Sequence, residues 1–313
     1  MKKISILIPA YNEENSIAML YKRLHALMEA NALYEWEVLF INDGSKDNTL
    51  QMLKQLREKD SRINFVDLSR NFGKEAAMLA GFDYVSGDCT VIMDADLQHP
   101  PELIPEMLKF WEEGYDDVFA KRVIRGKESW LRRMFSLLFY RILQKSTKVE
   151  IFENVGDFRL LDRQCINIMK KLRENERYTK GMFAWIGFRK KEILFEQGDR
   201  LEGSSSWGFW KLFDFAISGI TSFTTAPLRL STIIGFVISV VSFGYMCYTI
   251  AKTIISGEVV QGYPTLVILI LFMGGIQLVS LGVIGEYLGR IFNETKNRPP
   301  YIIREYNGEF VNR

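Results

Sequence analysis

Two long apolar runs without a charged side chain constrain the fold of this chain more than any other feature. They cover residues 231–251 and 265–285. An α-helix rises about 1.5 Å per residue, so a run of about 21 residues is long enough to cross the hydrocarbon core of a bilayer. Burying two such helices in a soluble protein would need a larger core than 313 residues provide. The sequence therefore predicts a C-terminal transmembrane hairpin with these two runs as its spans.

Basic residues flank the predicted hairpin, whereas the connection between its spans is nearly neutral. That connection, 252–264, carries one lysine and one glutamate. The flanking basic residues are Lys211, Arg229, Arg290, Lys296, Arg298 and Arg304. Positive flanks stay in the cytoplasm, so we expect a multi-pass protein of the inner (cytoplasmic) membrane with both termini cytoplasmic. The apolar run at 4–10 is too short for a signal peptide, and three scattered cysteines fit a reducing compartment.

Before the hairpin, apolar runs of strand length alternate with helical patterns. Strands are predicted at 4–8, 36–41, 63–68 and 90–93, and helices at 16–29, up to about 59, and at 74–84. This order predicts an α/β fold with a mainly parallel sheet and helices on both faces. No GxGxxG sequence follows the first strand, which argues against a dinucleotide oxidoreductase. The net charge of +2 shows no asymmetry of the kind that nucleic-acid binding needs.

Two aspartates directly after the fourth predicted strand are the sharpest chemical signal. In the sequence Asp94-Ala-Asp96-Leu-Gln98 they are separated by one residue, so an extended backbone would project both to the same side. Neighbouring carboxylates in a crevice repel unless a cation lies between them, and hard oxygen ligands suit Mg²⁺ or Mn²⁺ bound to a diphosphate. The alternative is a turn that caps the helix expected after Pro100.

Polar segments after the first two strands predict a second wall of the same crevice. Residues 9–13 and 42–47 contain an aromatic ring, Tyr11, and several carboxylates, including Asp43. Such groups could hold a nucleoside by stacking and hydrogen bonding. Ordinary turn and N-cap chemistry explains 43–47 equally well when that segment is taken alone.

The order of these motifs resembles a known family. PAYNEE, NDGSKD, RNFGK (70–74), DADLQHP, the hairpin and NRPPY (297–301) follow one another as in the family 2 inverting glycosyltransferases. The chain is most similar to their polyprenyl-phosphate branch, the bactoprenol glucosyltransferases and dolichol-phosphate mannose synthases, and two C-terminal spans favour the bactoprenol type. The QxxRW motif of processive relatives is absent from the sequence. The resemblance implies a GT-A-type nucleotide-sugar-binding domain.

The resemblance also implies roles for individual residues. The expected donor nucleotide site consists of Pro9, Tyr11, Glu13, Asp43, Lys74 and Arg200. Asp94 is expected against the nucleotide, Asp96 and Gln98 on an Mg²⁺ or Mn²⁺ ion, and Asp157 beside the donor sugar. The expected acceptor-phosphate site consists of Arg122, Arg132 and Ser136.

One segment departs from the family pattern. Relatives often read Gly-Glu-Ser-Lys-Trp in the loop that closes over the diphosphate, whereas this chain has three serines between Gly203 and Trp207. Ser206 stands where a lysine could help to neutralise the leaving diphosphate. That task is expected to shift to Arg200 and the metal.

A basic amphipathic stretch predicts contact with the bilayer surface. Residues 130–148 place Leu131, Phe135, Leu138 and Ile142 on one helical face among basic side chains, which is typical of an interfacial helix. The alternative is an ordinary helix packed on the sheet. A second aromatic-rich stretch, 207–227, leads into the first span.

The sequence thus predicts transfer of one hexose, by resemblance glucose from UDP-glucose, onto undecaprenyl or another polyprenyl phosphate. A phosphate monoester has a second pKa near 6, so this nucleophile needs little help from a base. The alternatives are a transferase acting on a polysaccharide or protein hydroxyl and a non-catalytic membrane scaffold. The expected parts are a catalytic domain (1–200), a closing loop with interfacial helices (201–229), the hairpin (230–289) and a cytoplasmic tail (290–313). Relatives of the bactoprenol type imply a homo-oligomer, a tetramer.

Overall fold

A computed structural model describes residues 1–123, 155–175, 177–195, 226–256 and 262–311. The chain divides into two compact units. One consists of Met1–Leu212 with Arg298–Arg313, and the other of Phe213–Asn297. The predicted amphipathic stretch at 130–148 and most of the predicted closing loop lie outside the described residues.

The first unit contains strands and helices in alternation. The strands are β1 (Lys3–Ala10), β2 (Glu35–Asn42), β3 (Ile63–Leu68), β4 (Cys89–Ile92), β5 (Asp117–Arg122), β6 (Val155–Asp162), β7 (Lys190–Phe195), β8 (Ile303–Tyr306) and β9 (Glu309–Phe310). The helices are α1 (Ile17–Ala30), α2 (Thr49–Lys59), α3 (Lys74–Tyr84), α4 (Ile104–Glu112), α5 (Arg163–Met169) and α6 (Thr179–Trp185). The predicted first four strands and first three helices are confirmed to within two residues at each end.

Within the described residues, nine strands form one sheet in the order β7-β5-β6-β4-β1-β2-β3-β8-β9. The four strands predicted from the sequence pair in parallel, and so do β5 and β7. In contrast, β6 runs antiparallel to both β4 and β5, and β8 runs antiparallel to β3. The sheet is therefore mixed, because β6 and β8 run in the direction opposite to the strands beside them.

The centre of the sheet is covered on both faces. In β1 the residues from Ile4 to Ile8 are all fully buried, as expected for a parallel strand between two helical layers. On one face Ile6 joins the core cluster that contains Leu20 and Leu24 of α1. On the other face Leu7 packs so closely against Gly81 of α3 that a Cβ at Gly81 would overlap it. The carboxyl ends of β1, β2, β3 and β4 are thereby held at one edge of the sheet, where ligands bind in open α/β folds.

The chain returns to this sheet after the hairpin. Strand β8 pairs with β3, and Asn307 accepts a hydrogen bond from the Phe65 amide at 2.8 Å. Lys54 of α2 forms an ion pair with Glu305 of β8 at 2.8 Å. Segments before and after the hairpin therefore belong to one sheet, which the sequence did not predict.

The second unit is a pair of apolar helices, α7 (Ala226–Ser256) and α8 (Tyr263–Thr295). The predicted spans fall within them. Among the described residues, the stretch Phe272–Thr295 of α8 is long and apolar enough to cross a membrane, with a mean hydropathy of 1.2, and Leu230–Tyr245 of α7 is a shorter apolar stretch. Large apolar side chains such as Phe236, Val241 and Leu278 are exposed on these helices.

Candidate active site

The loops after β1 and β2 are tied together by hydrogen bonds. The Asn12 amide donates to Ser45 Oγ at 2.9 Å, and Asn12 Oδ1 accepts from the Lys46 amide at 2.8 Å. One residue on, the Glu13 amide donates to Thr49 Oγ1 at 2.8 Å. Asn12 itself has a φ of 56°, a left-handed conformation that asparagine tolerates better than most residues. These contacts bring the two predicted pocket segments, 9–13 and 42–47, into one wall.

Asp43 holds the loop after β3, residues 69–73, which we call the β3–α3 loop. Its carboxylate is 3% exposed and accepts from the Phe72 amide at 2.7 Å and the Gly73 amide at 2.9 Å. Burial raises the pKa of Asp43, and these two hydrogen bonds oppose that rise. The next residue, Gly44, has a φ of 65°, and any Cβ there would overlap the backbone of Arg70. The Asp-Gly sequence therefore positions this loop, a role the turn interpretation did not include.

Lys74, the first residue of α3, joins two of the predicted site aspartates. Its Nζ lies 2.6 Å from Asp94 Oδ1 after β4 and 2.7 Å from Asp157 Oδ2 on β6. Burial alone would lower the pKa of Lys74, but the two carboxylates outweigh burial and raise it. The same contact lowers the pKa of Asp157. Burial favours a raised pKa for this carboxyl group, but the positive charge of Lys74 opposes burial and the pKa falls. Asp157 is therefore an ionised carboxylate although it is nearly buried.

One oxygen of Asp157 has no hydrogen-bond partner among the residues that the structure describes. Asp157 is 9% exposed, and this atom, Oδ1, is buried. A buried acceptor that lacks a donor is costly in a folded protein. A hydrogen-bond donor placed at this atom would remove that cost.

Asp96 lies in a turn and Asp94 directly before it, so the pair does not share one extended backbone as the sequence predicted. Strand β4 ends at Ile92, Ala95 and Asp96 are in a turn, and Leu97 has a φ of 63°. Asp96 Oδ1 accepts from the Gln98 amide at 3.1 Å, which holds the turn closed. The first turn of the following helix has no side-chain cap, so the capping interpretation of Asp94 and Asp96 has no support here.

The charges of both members of the pair act on Glu13, which follows β1. Burial is the main cause of the raised pKa of Glu13, and the charges of Asp96, Asp94 and Asp47 add to it. A nearby like charge disfavours the ionised form of a carboxyl group, so these residues together make this part of the site negative. Lys74 offsets only part of this negative charge. No cluster of three or more His, Cys, Asp or Glu side chains that could hold a metal occurs among the described residues.

His99 is hydrogen-bonded to the backbone of Asp94 in the acidic pair. Its Nδ1 accepts a hydrogen bond from the Asp94 amide at 2.9 Å, and its ring stacks on the Phe158 ring with 4.8 Å between the ring centroids. Burial lowers the pKa of His99, which keeps the ring neutral and able to accept. The structure thus gives His99 a backbone-binding role.

A buried ion pair near the site was missed in the sequence. Arg159 of β6 forms an ion pair with Asp117 of β5 at 3.1 Å, and its guanidinium lies 3.9 Å from the centre of the Phe183 ring. Asp117 is fully buried. The sequence did contain a signal for Arg159. Side chains two residues apart in a strand lie on the same face, so Arg159 shares a face of β6 with the predicted site residue Asp157.

The remaining predicted residues are divided between the site and its surroundings. Pro9 lies in β1, and Tyr11 follows that strand with its ring 42% exposed. Arg122 is exposed at the end of β5. Arg132, Ser136, Arg200 and the 203–207 segment lie outside the described residues. The structure thus brings together Glu13, Lys74, Asp94, Asp96 and Asp157.

Comparison with known proteins assigns the family. Residues 5–168 match glycosyl transferase family 2, and residues 226–291 match the GtrB C-terminal hairpin. An uncharacterized glycosyltransferase of Synechocystis sp. is 45% identical, with 98% of this chain and 96% of the relative covered. The SfII prophage-derived bactoprenol glucosyl transferase of Shigella flexneri is 43% identical, with 97% and 98% covered. Among solved structures, mannosyl-3-phosphoglycerate synthase from Rubrobacter xylanophilus is 16% identical with a TM-score of 0.47, over 69% of this chain and 71% of that one. The chain belongs to glycosyl transferase family 2, is a glycosyltransferase, and carries a GtrB-type C-terminal hairpin.

Proposed function

We propose that the chain transfers a single glucose, with inversion, from UDP-glucose to a polyprenyl phosphate such as undecaprenyl phosphate at the cytoplasmic face of the membrane. The observation that carries this proposal is the contact of Lys74 with both Asp94, which follows β4, and Asp157 on the adjacent strand β6, with Asp96 two residues beyond Asp94. It occurs in a chain that is 43% identical to a bactoprenol glucosyl transferase over nearly its whole length.

A divalent cation, Mg²⁺ or Mn²⁺, fits the acidic end of β4. Asp96 and Gln98 would hold it, with Asp94 against the nucleotide. The mutual repulsion of Glu13, Asp94 and Asp96 supports a cation in this space. Mg²⁺ usually takes one or two protein carboxylates and completes its shell with substrate phosphates and water, so a larger ligand cluster is not needed. When bound, the ion neutralises charge on the departing diphosphate.

The donor would lie across the wall formed by the β1 and β2 loops. The proposed nucleotide residues are Pro9, Tyr11, Glu13, Asp43, Lys74 and Arg200. The exposed ring of Tyr11 offers a face for the base. Asp157 Oδ1, which has no partner among the described residues, would accept a hydrogen bond from a hydroxyl of the donor sugar. This assignment uses Asp157 to orient the sugar and does not require it to remove a proton.

The acceptor needs positive charge more than it needs a base. A lipid phosphate is mostly dianionic at neutral pH, because its second pKa is near 6. Arg122, Arg132 and Ser136 are the proposed phosphate ligands, and arginine forks bind phosphate oxygens in pairs. Holding that phosphate behind the anomeric carbon converts the transfer into an oriented, effectively intramolecular step.

The path of the chain supports two membrane crossings. Strand β8 follows the hairpin and pairs with β3, which precedes it, so both flanks must lie on the same side of the membrane. An even number of crossings must separate them, and α7 and α8 supply two. Positive flanks then put both termini in the cytoplasm. The homotetramer implied by the resemblance stays a prediction, testable by the mass of the protein in detergent.

A transfer assay tests the proposed function. Purified protein in detergent is given UDP-[¹⁴C]glucose and undecaprenyl phosphate, with EDTA, with EDTA followed by Mn²⁺, and without either. We expect label in the organic phase, its loss with EDTA and its recovery with Mn²⁺. Asp96→Ala should abolish transfer, whereas Glu106→Gln, which removes an exposed carboxylate on α4, should not affect it.

Two results would contradict the proposal. Label that never enters the lipid phase would exclude a polyprenyl phosphate acceptor, and label in added polysaccharide or protein would favour the hydroxyl-acceptor alternative. Full turnover by Asp96→Ala would exclude the metal assignment. A panel of other nucleotide sugars in the same assay identifies the donor.

A further inference from the structure

The β3–α3 loop is held from its outer side by the segment that follows the hairpin. The Ser69 amide donates to the Ile302 carbonyl at 2.9 Å, and Arg304 Nη2 donates to the Ser69 carbonyl at 2.8 Å. Both polar groups of the Ser69 backbone are therefore bound by residues more than two hundred positions later in the chain.

Arg304 also reaches the base of the β2 loop through a buried carboxylate. Its Nη1 lies 3.4 Å from Asp67 Oδ2, and Asn42 Nδ2 donates to Asp67 Oδ1 at 2.7 Å. Asp67 and Asn42 are each 1% exposed. Asn42 directly precedes Asp43, so a short polar chain joins Arg304 to the strand end that carries Asp43.

The inner side of the same loop belongs to the candidate active site. Asp43 accepts from the amides of Phe72 and Gly73, and the next residue is Lys74, whose ammonium contacts Asp94 and Asp157. The loop is thus fixed between Asp43 on one side and the segment after the hairpin on the other. A shift of the loop would move Lys74 relative to both aspartates.

We propose that Arg304 is a positioning residue of the donor site, through which the strand after the membrane hairpin sets the β3–α3 loop for nucleotide binding. The inference rests on the proposed function for the identity of the donor. It assigns a part in donor binding to a residue outside the stretch that matches glycosyl transferase family 2, which ends at residue 168.

The test compares three variants of the full-length protein. Arg304→Ala removes both contacts, Arg304→Lys keeps the charge but loses the paired geometry, and Glu309→Gln changes an exposed carboxylate on the neighbouring strand β9. Loss of charged hydrogen bonds should raise the Kd for UDP and the KM for UDP-glucose about fivefold to tenfold in Arg304→Ala. We expect kcat to stay within about twofold, because the reacting groups remain. Arg304→Lys should recover part of the affinity, and Glu309→Gln should match the wild type.

Amide hydrogen exchange gives a readout that needs no donor. Arg304→Ala should speed exchange at Ser69, Phe72 and Gly73, whereas Glu309→Gln should not. Unchanged exchange at these amides would overturn the inference whatever the donor is, and so would an unchanged Kd for UDP. Failure of the wild type to bind UDP while Arg304→Ala still loosens the loop would count against the proposed donor and not against the positioning role. Because the Arg304 side chain is 51% exposed, the variant is expected to fold, and Arg304→Gln provides a second one.

Discussion

Lys74 is the residue on which the local electrostatics of the site depend. Its ammonium is shared by Asp94, which follows β4, and Asp157, which lies on β6. Asp157 is nearly buried, and Lys74 is what lowers its pKa against the effect of burial. Without that cation an ionised Asp157 would be costly to bury, and it would gain a proton more readily.

Substitution of Lys74 should therefore impair catalysis more than it impairs folding. We expect Lys74→Met to lower kcat/KM at least about tenfold, a loss of 1.4 kcal/mol of transition-state stabilisation or more. Lys74→Arg should retain more activity because it keeps the charge. Steady-state kinetics measure the effect, with Lys22→Met, a change at an exposed position on α1, as the matched control. Equal activity of Lys74→Met and the control would contradict the role of Lys74.

At the scale of secondary structure, β6 connects the two halves of the sheet. It pairs with β4 on one side and β5 on the other, and it carries Asp157. The Arg159–Asp117 ion pair fastens β6 to β5 in a fully buried position, with Arg159 also donating to the Gly156 carbonyl. The position of Asp157 therefore depends on an ion pair whose two residues were not predicted to bind the donor, the acceptor or the metal.

Breaking that pair should be costly. Asp117→Ala leaves a buried guanidinium without its counter-charge, and the expected loss is about 3–5 kcal/mol of stability. Thermal unfolding in detergent measures the change. The double variant Asp117→Leu/Arg159→Met removes both charges and should recover most of the lost stability, since apolar replacements of buried pairs are often neutral. A single variant as stable as the wild type would contradict this account.

The sequence predicts local elements well and long-range contacts poorly. Strand β3 was predicted with its observed bounds because a buried parallel strand is a short apolar run. Strand β8, Ile-Arg-Glu-Tyr, is too short and polar to be recognised alone, and its partner lies far earlier in the chain. The Lys74 bridge and the Arg159–Asp117 pair were missed for the same reason. The turn at Asp96 was missed because a positive φ at Leu97 has no sequence signal.

At the scale of the whole molecule, the sheet that carries the candidate active site also contains strand β8, which follows the hairpin. This arrangement makes folding of the sheet depend on membrane topology. Strand β8 can pair with β3 only if the chain after the hairpin lies on the same side of the membrane as the chain before it. It also means that residues after the hairpin belong to the catalytic unit. A chain cut at the end of α8 should therefore lose the support of the β3–α3 loop.

The proposed topology predicts which positions a membrane-impermeant thiol reagent can reach in intact cells. Glu309→Cys in β9 should be protected, whereas Gly262→Cys, between α7 and α8, should be labelled from outside. Cys247 is replaced first because it is exposed on α7, while Cys89 and Cys165 are buried. Permeabilised cells, in which both positions should react, are the control. Labelling of Glu309→Cys in intact cells would contradict two crossings.

The most direct measurement of the central claim locates the cation. Crystals of the protein soaked with UDP-glucose and Mn²⁺ should show one anomalous manganese peak within about 2.6 Å of the Asp96 carboxylate and of the donor diphosphate, a distance typical of metal–oxygen coordination. The peak should be absent from Asp96→Ala crystals. An ion or a diphosphate bound elsewhere, far from Asp94 and Asp96, would contradict the account.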